Sequence, residues 1–526
     1  MTALEPEEAP AEAIGESAEG TSSRPEPILA RLGVEVPAAP LWQQGLAGVV
    51  VLLIAYAVFT QLFRDGGLAL PGEGAEASWP ILGPAIAAVI LAVIIDLRLT
   101  LRALLAIPVI ALIGLAILTF ASGSWTTVLP AEATRLGMAL AAYVLIAVAA
   151  AVAATRLTVL PLAGLLVAVA VVAGAMGLWG FANLETSSLA VINQGELTPA
   201  GPFRYRNTLA LLAAATLIPL ARWAVWDSLE PPRALLSIVA GLGLGVSVTV
   251  VATSGSDFAW LMSFVLVAVA VLFPGGALGV RRQVALGIAA ASFVVAFAGW
   301  LMFREVLGQT AGDQSGRKVV MVGLVVAMPL VAWAFGLGAR RISDRVATRL
   351  VQAAAALAVV GAIAFVVGPF APGDVTQSRQ AYYEATIGTA KEEPIKGFGA
   401  GSYGQASIGE QLTLLSSQTR FAHSIPGEMW VELGIGVLLL SLLLYVGAFL
   451  LSWRVRALSG GALLIPLVVG FLLSGLIDWS WHMTAMTALW ASGLGGLIGI
   501  RLAGSADRNR EERAEGQPEV ISGSPA

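Results

Sequence analysis

Apolar residues recur along this chain in runs of about 20, separated by short polar stretches. A helix of about that length crosses the roughly 30 Å hydrocarbon layer of a membrane, whereas barrel strands would show alternating patterns of about 10 residues. The pattern therefore predicts an all-α, polytopic transmembrane helix bundle of about fourteen spans. The predicted spans lie near residues 45–64, 79–96, 101–121, 134–154, 157–181, 207–222, 234–253, 257–278, 283–302, 318–338, 350–370, 427–452, 461–477 and 483–500.

Composition supports the membrane class. The 526 residues are 57% hydrophobic and 12% charged, with a mean hydropathy of +0.83, while a soluble domain carries roughly 25% charged residues. We therefore expect the lipid bilayer as a partner. The net charge of −4 gives no reason to expect nucleic acid, and the absence of cysteine excludes disulfides and thiolate chemistry.

The two ends of the chain differ from the middle. Residues 1–43 are rich in Ala, Glu and Pro, and residues 503–526 are polar and mixed in charge, so both are predicted to be disordered tails flanking a transmembrane domain at 44–502. If the N-terminus is cytoplasmic, most arginines of the short loops lie inside, as the positive-inside rule requires. An even number of spans then predicts a multi-pass protein of the plasma or inner membrane with both termini cytoplasmic.

Polar residues concentrate in two loops predicted on the outer side. The longest, 371–426, precedes the twelfth span and carries Arg379 and His423, and a second, 182–206, carries Arg204 and Arg206. Guanidinium groups suit phosphate because they form two parallel charge-assisted bonds. The arginines either bind a substrate with an anionic head group and a lipid tail, or are simply solvated or bound to lipid head groups.

His423 is one of only two histidines, and it immediately precedes a predicted span. The positive end of a helix dipole lowers a histidine pKa, and a neutral imidazole can accept the proton of a hydroxyl. The alternative is a structural, hydrogen-bonded histidine. No metal site is predicted, because there is no cysteine and no second histidine close in sequence.

Three blocks, taken in order, resemble the O-antigen ligase and polymerase-like family of membrane proteins. The run 378–385 with the glycine-rich stretch 393–403 resembles the large external loop of that family. Ala422-His423-Ser424, followed after nine residues by Gly434, is similar to its His-(Asn/Ser)-x9-Gly signature. The stretch 201–210 resembles its Gly-x-Phe-x-x-x-Asn-x-Leu-Ala motif.

The chain departs from the family pattern at two places. The family commonly has a Ser-Arg-Gly-type motif, but the matching stretch here is Ser-Gly-Ser-Asp at 254–257, with no arginine. If that arginine holds phosphate in relatives, Arg204 or Arg206 is the expected replacement. After the histidine, the chain has Gly434-Ile435-Gly436 where relatives more often have Gly-x-x-Gly.

The resemblance implies a GT-C-like membrane glycosyltransferase that uses neither a metal nor another cofactor. Such an enzyme transfers a glycan from an undecaprenyl-pyrophosphate carrier to a hydroxyl of a glycan, lipid or protein acceptor, as a ligase or a polymerase. The implied roles are general base for His423, pyrophosphate binding for Arg379 first and then Arg206 and Arg204, and support from Glu428, Glu432, Asn207 and Tyr383. Glu428 and Glu432 would steady His423 or the sugar, or merely favour the helix start.

Other interpretations stay open. A flippase or transporter of lipid-linked polysaccharide precursors, or a non-catalytic member of an envelope complex, would share this architecture. Ion-coupled transport is less favoured, because the predicted spans contain few charged residues. The glycines at 397–401 form either an anion-binding nest or tight turns, and they are not a P-loop, since Lys396 precedes them.

Overall fold

The computed structural model describes most of residues 39–256, the helix at 314–339 and most of residues 373–515. Residues 1–38 and 516–526, most of 257–313 and 340–372, and a few short loop segments lie outside this description. The predicted spans 257–278, 283–302 and 350–370, and most of both predicted tails, therefore fall mainly outside the described residues.

Helices dominate the described residues, with a single short antiparallel hairpin in which Ala190 pairs with Pro199. The elements are α1 (Leu41–Leu62), α2 (Trp79–Ile95), α3 (Leu97–Leu104), α4 (Ile107–Ser122), α5 (Pro130–Leu157), α6 (Leu160–Ala182), β1 (Ala190–Asn193), β2 (Glu196–Pro199), α7 (Arg206–Ala224), α8 (Arg233–Thr253), α9 (Gln314–Ala339), α10 (Gly373–Glu392), α11 (Tyr403–Ala406), α12 (Ile408–Leu414), α13 (Ile425–Leu433), α14 (Gly436–Val455), α15 (Gly461–Gly475) and α16 (Thr484–Glu515).

The chain is a multi-pass membrane protein, and its described residues are predominantly helical. Among the described residues, 9 helices are long and apolar enough to cross a membrane, and the bent pair α3 and α4 raises the number to 10 if it is one span. α15 is apolar but shorter, at 15 residues. Eight of these helices confirm individual predicted spans: α1, α2, α5, α6, α7, α8, α9 and α16. α16 continues to Glu515, so the predicted tail boundary at residue 503 lies inside a helix.

Two predicted spans need correction, because each is interrupted. The span predicted at 101–121 is two helices at 72°: α3 ends at Leu104, and α4 begins at Ile107 with Pro108 in its first turn. The span predicted at 427–452 is divided at Gly434, which has a φ of 75° and lies so close to the Ile395 carbonyl that a Cβ would clash with it. A periodic apolar pattern does not reveal either break.

The centre of the bundle is formed by α5, α7 and α16. Between 83% and 89% of their apolar windows is buried inside the protein, against 33% for α2 and α14. α5 and α16 approach closely because Gly495 and Gly499 face the carbonyl oxygens of Ala147 and Ala151, where any Cβ would clash. Small residues four apart allow such close packing without a hydrophobic force between helices.

One end of the bundle collects the polar residues. Successive spans alternate in direction. This end of the bundle therefore contains the first residues of α5, α7 and α16 and the last residues of α4, α8 and α15. The segment from α10 to α13 packs on the same end, as shown by the bonds from Trp125 to the Lys396 carbonyl and from the Ala400 amide to Ser122. The opposite end carries the ion pair of Arg156 with Asp96, at 2.7 Å.

Candidate functional site

The buried carboxylate of Asp478 organises the polar end. It lies between α15 and α16 and is only 1% exposed. Its Oδ1 accepts from the Tyr205 hydroxyl at 2.6 Å and from the Trp479 amide at 2.8 Å, and its Oδ2 accepts from the Asn207 side chain at 3.1 Å. Burial raises the pKa of Asp478, while the charge of Arg379 and these hydrogen bonds oppose that shift.

Asn207 connects this carboxylate to the end of α8. Its amide group also donates to the Tyr205 oxygen at 2.9 Å, and its own Oδ1 accepts from the Ser256 hydroxyl at 2.7 Å. Next to it, the Arg206 guanidinium donates to the Gly255 carbonyl at 2.9 Å. Arg206 therefore lies beside the very segment where the sequence lacks the arginine of the resembling family.

His423 lies against Asp478 and Tyr382. Its Nδ1 is 3.8 Å from Asp478 Oδ1, its ring centroid is 4.4 Å from that of Tyr382, and its side chain is 14% exposed. Burial and then the positive charge of Arg379 lower the pKa of His423 from 6.5 to about 3, so the imidazole is neutral at physiological pH. Its buried Nδ1 has no hydrogen-bond partner among the described residues.

Arg379, on α10, completes this group. Its charge lowers the pKa of His423 and counteracts the raised pKa values of Asp478 and Tyr205, so it is electrostatically close to all three. Its buried Nη1 likewise has no hydrogen-bond partner within the described part of the chain. We call the five residues His423, Arg379, Asp478, Tyr205 and Asn207 the imidazole cluster.

Two other predicted residues lie at its edge. Tyr383 donates to the Leu476 carbonyl at 3.2 Å, and burial raises its pKa. Arg204 is exposed and follows the short helical turn Gly201–Phe203 with a left-handed φ of 52°.

The expectation that Glu428 and Glu432 steady His423 or the sugar, or merely favour the helix start, stays a prediction, and the described bonds of both carboxyls go to residues other than His423. Glu428 Oε1 is bonded to His482 Nε2 at 2.5 Å, and its Oε2 accepts from the Ala422 amide at 2.9 Å. Glu432 accepts from the Tyr403 amide at 3.1 Å. Both point to one side because residues four apart share a helix face, and in the described structure neither bonds to His423.

Burial is the main influence on the pKa values of Glu428 and Glu432. It raises the pKa of Glu428 well above 4.5 and, together with the charge of Glu428, raises that of Glu432 to about 8. Burial and then the charges of Arg135 and Arg420 lower the pKa of His482 well below 6.5. The bonded pair His482 and Glu428 is thus favoured in its neutral form.

A cavity of about 440 Å³ opens beside this pair. Its charged wall includes Glu132, which is bonded to Arg135 at 2.6 Å and lies 3.5 Å from Arg420. Phe421 lines it too, with its ring 3.9 Å from His482 and 5.0 Å from Trp479. His423 and Arg379 do not line the cavity, so the polar end contains two regions that share the segment around residue 422.

The glycine-rich stretch forms turns. Gly397, Gly399 and Gly401 have φ values of 66°, 97° and 79°, which side-chain-bearing residues rarely adopt. The Gly399 amide donates to the Glu432 carbonyl at 2.7 Å and the Ala400 amide to Ser122 at 3.0 Å. Because these amides are already bonded within the protein, the structure favours the turn interpretation over an anion nest.

Sequence reasoning missed several members of these two regions. Asp478 and His482 stand in Asp-Trp-Ser-Trp-His, a tryptophan-rich stretch that is typical of an aromatic belt at the interface and gave no reason to place them in a site. The available signal was a lone carboxylate in an otherwise uncharged loop. Tyr205 and Ser256 carried no signal of their own beyond the motifs that contain them. Within the described part of the chain, no group of three or more acidic or histidine side chains is arranged to hold a metal ion.

Comparison with known proteins assigns the chain to no family. No model of a known protein family matches the chain, and no curated protein matches it either. The resemblance to the O-antigen ligase and polymerase-like family therefore rests on the three sequence blocks alone.

Proposed function

We propose that this chain is a membrane glycosyltransferase of the O-antigen ligase or polymerase type, which transfers a glycan from undecaprenyl pyrophosphate to an acceptor hydroxyl. One observation carries the proposal. Two buried polar atoms, His423 Nδ1 and Arg379 Nη1, have no hydrogen-bond partner among the described residues and belong to one cluster. Buried polar atoms are nearly always bonded in folded proteins, so an unbonded base and an unbonded cation in one cluster favour a substrate site.

The pyrophosphate would lie against the arginines. Arg379 supplies the unbonded guanidinium nitrogen, and Arg206 supplies a second cation beside Gly255. In a poorly hydrated site, fixed positive charges stabilise the developing negative charge on a leaving group far better than in water. Arg204 is exposed and is the weakest of the three predicted ligands.

His423 would handle the proton. The acceptor oxygen attacks the anomeric carbon as the bond from that carbon to the pyrophosphate oxygen breaks, and the lipid pyrophosphate leaves with the bonding electrons. His423 accepts the acceptor proton, for which its neutral form is required. Asp478, 3.8 Å from Nδ1, would stabilise the resulting imidazolium. Attack opposite the leaving group predicts inversion at the anomeric carbon.

The same proposal includes the architecture and its orientation. The ten described spans, the short α15 and the three predicted spans outside the described residues would together give about fourteen spans in a GT-C-like bundle. The polar end would face away from the cytoplasm of the cell membrane, with both termini inside. The loop arginines of the opposite end, such as Arg98, Arg102 and Arg156, support this orientation.

Reconstitution tests the proposal directly. The full chain in liposomes is supplied with a defined undecaprenyl-pyrophosphate oligosaccharide and with glycan, lipid and protein acceptors, in the presence of a chelator, and products are identified by mass spectrometry. We expect a new glycosidic bond with wild type and none with His423→Ala. Normal transfer by His423→Ala and Arg379→Ala would refute the enzymatic assignment. Movement of the lipid-linked sugar between leaflets without a new bond would instead identify a flippase.

A further inference from the structure

The cavity has no part in the chemistry proposed above, although its walls carry several buried ionisable groups. Its volume of about 440 Å³ falls within the range of about 300–1,000 Å³ typical of small-molecule sites. Glu428 and Glu432 are 1% and 4% exposed, and His482 lines the cavity beside them. Such groups are costly to bury, and here they surround space large enough for a ligand.

The wall chemistry favours a polar ligand of low net charge. Arg135 and Arg420 both lie within 4 Å of Glu132, whose single charge offsets one of these two cations, so the wall is only weakly positive and selects weakly for a doubly charged anion. Carboxyl and guanidinium groups together offer acceptors and donors to hydroxyls. Phe421 and Trp481 also line the cavity and provide aromatic faces. A sugar ring, with hydroxyls at its rim and C–H groups on its faces, matches this combination.

We propose that this cavity binds a carbohydrate, and that this carbohydrate is the acceptor of the transfer reaction. The binding of a sugar stands by itself, whereas its role as acceptor rests on the proposed function. The donor pyrophosphate is assigned to Arg379 and Arg206, which do not line the cavity. The cavity therefore supplies a separate place for the second substrate.

The chain connects the cavity to the imidazole. Phe421 lines the cavity, the Ala422 amide is bonded to Glu428, and His423 follows immediately. The Cα atoms of residues 421 and 423 are at most about 7 Å apart, because an extended chain spans at most about 3.6 Å per residue. A sugar larger than one ring, held against Phe421, can thus extend a hydroxyl toward His423.

The test measures sugar binding without a lipid carrier. The purified full chain in nanodiscs is applied to an array of defined soluble oligosaccharides, and the affinity of each retained glycan is then determined in solution. Ala139, on α5, lines the cavity, while Ala141 on the same helix does not, so Ala139→Phe fills the cavity and Ala141→Phe is its matched control. Gln405→Ala changes an exposed lining residue, with the exposed Gln380→Ala as its control.

We expect at least one oligosaccharide to bind, with at least tenfold weaker affinity for Ala139→Phe, measurable weakening for Gln405→Ala, and no change for the two controls. If Ala139→Phe does not fold, as judged by size-exclusion chromatography, Gln405→Ala decides the result. The proposal is overturned if no glycan binds or if both cavity variants bind normally. Sugar binding with normal transfer by His423→Ala would leave the sugar site standing and refute the enzymatic mechanism.

Discussion

Two imidazole–carboxylate pairs lie at the same end of this protein, and they differ in how fully their hydrogen bonds are made. His482 and Glu428 are bonded at 2.5 Å, and the second oxygen of Glu428 accepts the Ala422 amide. His423 and Asp478 are 3.8 Å apart, and His423 Nδ1 has no bond among the described residues. The first pair is already satisfied by the protein, whereas the second leaves capacity for a ligand.

The comparison shows why the sequence could not rank the two histidines by chemistry alone. Both are buried beside an acidic residue, and burial lowers both pKa values. What distinguishes them is the neighbouring cation. Arg379 has a buried nitrogen with no bond in the described structure, whereas Arg135, beside His482, is bonded to Glu132 at 2.6 Å. Unsatisfied groups are costly to keep, so they are the better indicator of a binding function.

The largest effect on kcat/KM is expected from substituting Arg379 of the imidazole cluster, compared with an exposed lysine on the same helix. Arg379→Ala should reduce kcat/KM for transfer by about 10²- to 10³-fold, because one preorganised charge on the leaving group is lost. The exposed Lys391→Ala on α10 is the matched control and should change kcat/KM by less than about twofold. Steady-state kinetics in liposomes measure both. Equal losses would mean that α10 acts only through its general charge.

Asp478→Asn is expected to have the next largest effect. The substitution keeps the size but presents an amide to the Tyr205 hydroxyl and the Trp479 amide, and it removes the charge that would stabilise a protonated His423. We expect about a tenfold loss of kcat, with a smaller change in KM. An unchanged kcat would show that Asp478 holds the Tyr205 and Asn207 network but does not act on the imidazole.

Glu428→Ala tests the role of the hydrogen-bonded pair formed by His482 and Glu428. It leaves the Ala422 amide without its acceptor and the His482 ring without its hydrogen-bond partner, so the free energy of unfolding should fall by about 1–3 kcal/mol. Thermal unfolding in detergent measures the loss, and Glu428→Gln, which keeps one acceptor oxygen, should recover much of it. Wild-type stability in Glu428→Ala would contradict the structural role assigned to this pair.

The smallest effect is expected from a change of pH. Because His423 has a pKa of about 3 in the folded protein, below its ordinary 6.5, it remains neutral in mildly acidic solution. The profile of kcat/KM should therefore lack an acid limb near 6.5 and stay within about twofold between about pH 5 and 7.5. An acid limb centred near 6.5 that disappears in His423→Gln would contradict the burial of this imidazole.

The lowered pKa of His423 also makes the stability of the protein depend on pH, and proton linkage fixes the direction of that dependence. Between pH 6.5 and about 3 the unfolded chain binds a proton at His423 that the folded chain does not. This contribution to stability is complete above 6.5 and is lost as the pH falls toward 3. His423→Gln should therefore unfold with a weaker dependence on acid pH than wild type.

The spans were predictable because lipid imposes a simple requirement on them. Every backbone polar group in the bilayer must be bonded internally, so a long apolar run such as α5 or α16 can only be a helix. Hydropathy did not predict the breaks at Ala106 and Gly434, since Ala106 is extended, with a ψ of 132°, just before Ile107 and Pro108, and Gly434 lies against the carbonyl of Ile395. At the polar end, motif order was enough to select His423, Arg379 and Asn207 as candidates for one site.

The sequence by itself determined that this protein is a helical membrane bundle and that its polar chemistry lies between spans, because transfer into lipid depends on residue type more than on neighbours. Only the tertiary structure decided which carboxylate faces which imidazole. Asp478 is 55 residues beyond His423 along the chain, yet it lies beside it, while Glu428, five residues away, turns toward His482. A helix face fixes the direction of each side chain, and the packing of α13 against the neighbouring segments then selects its partner.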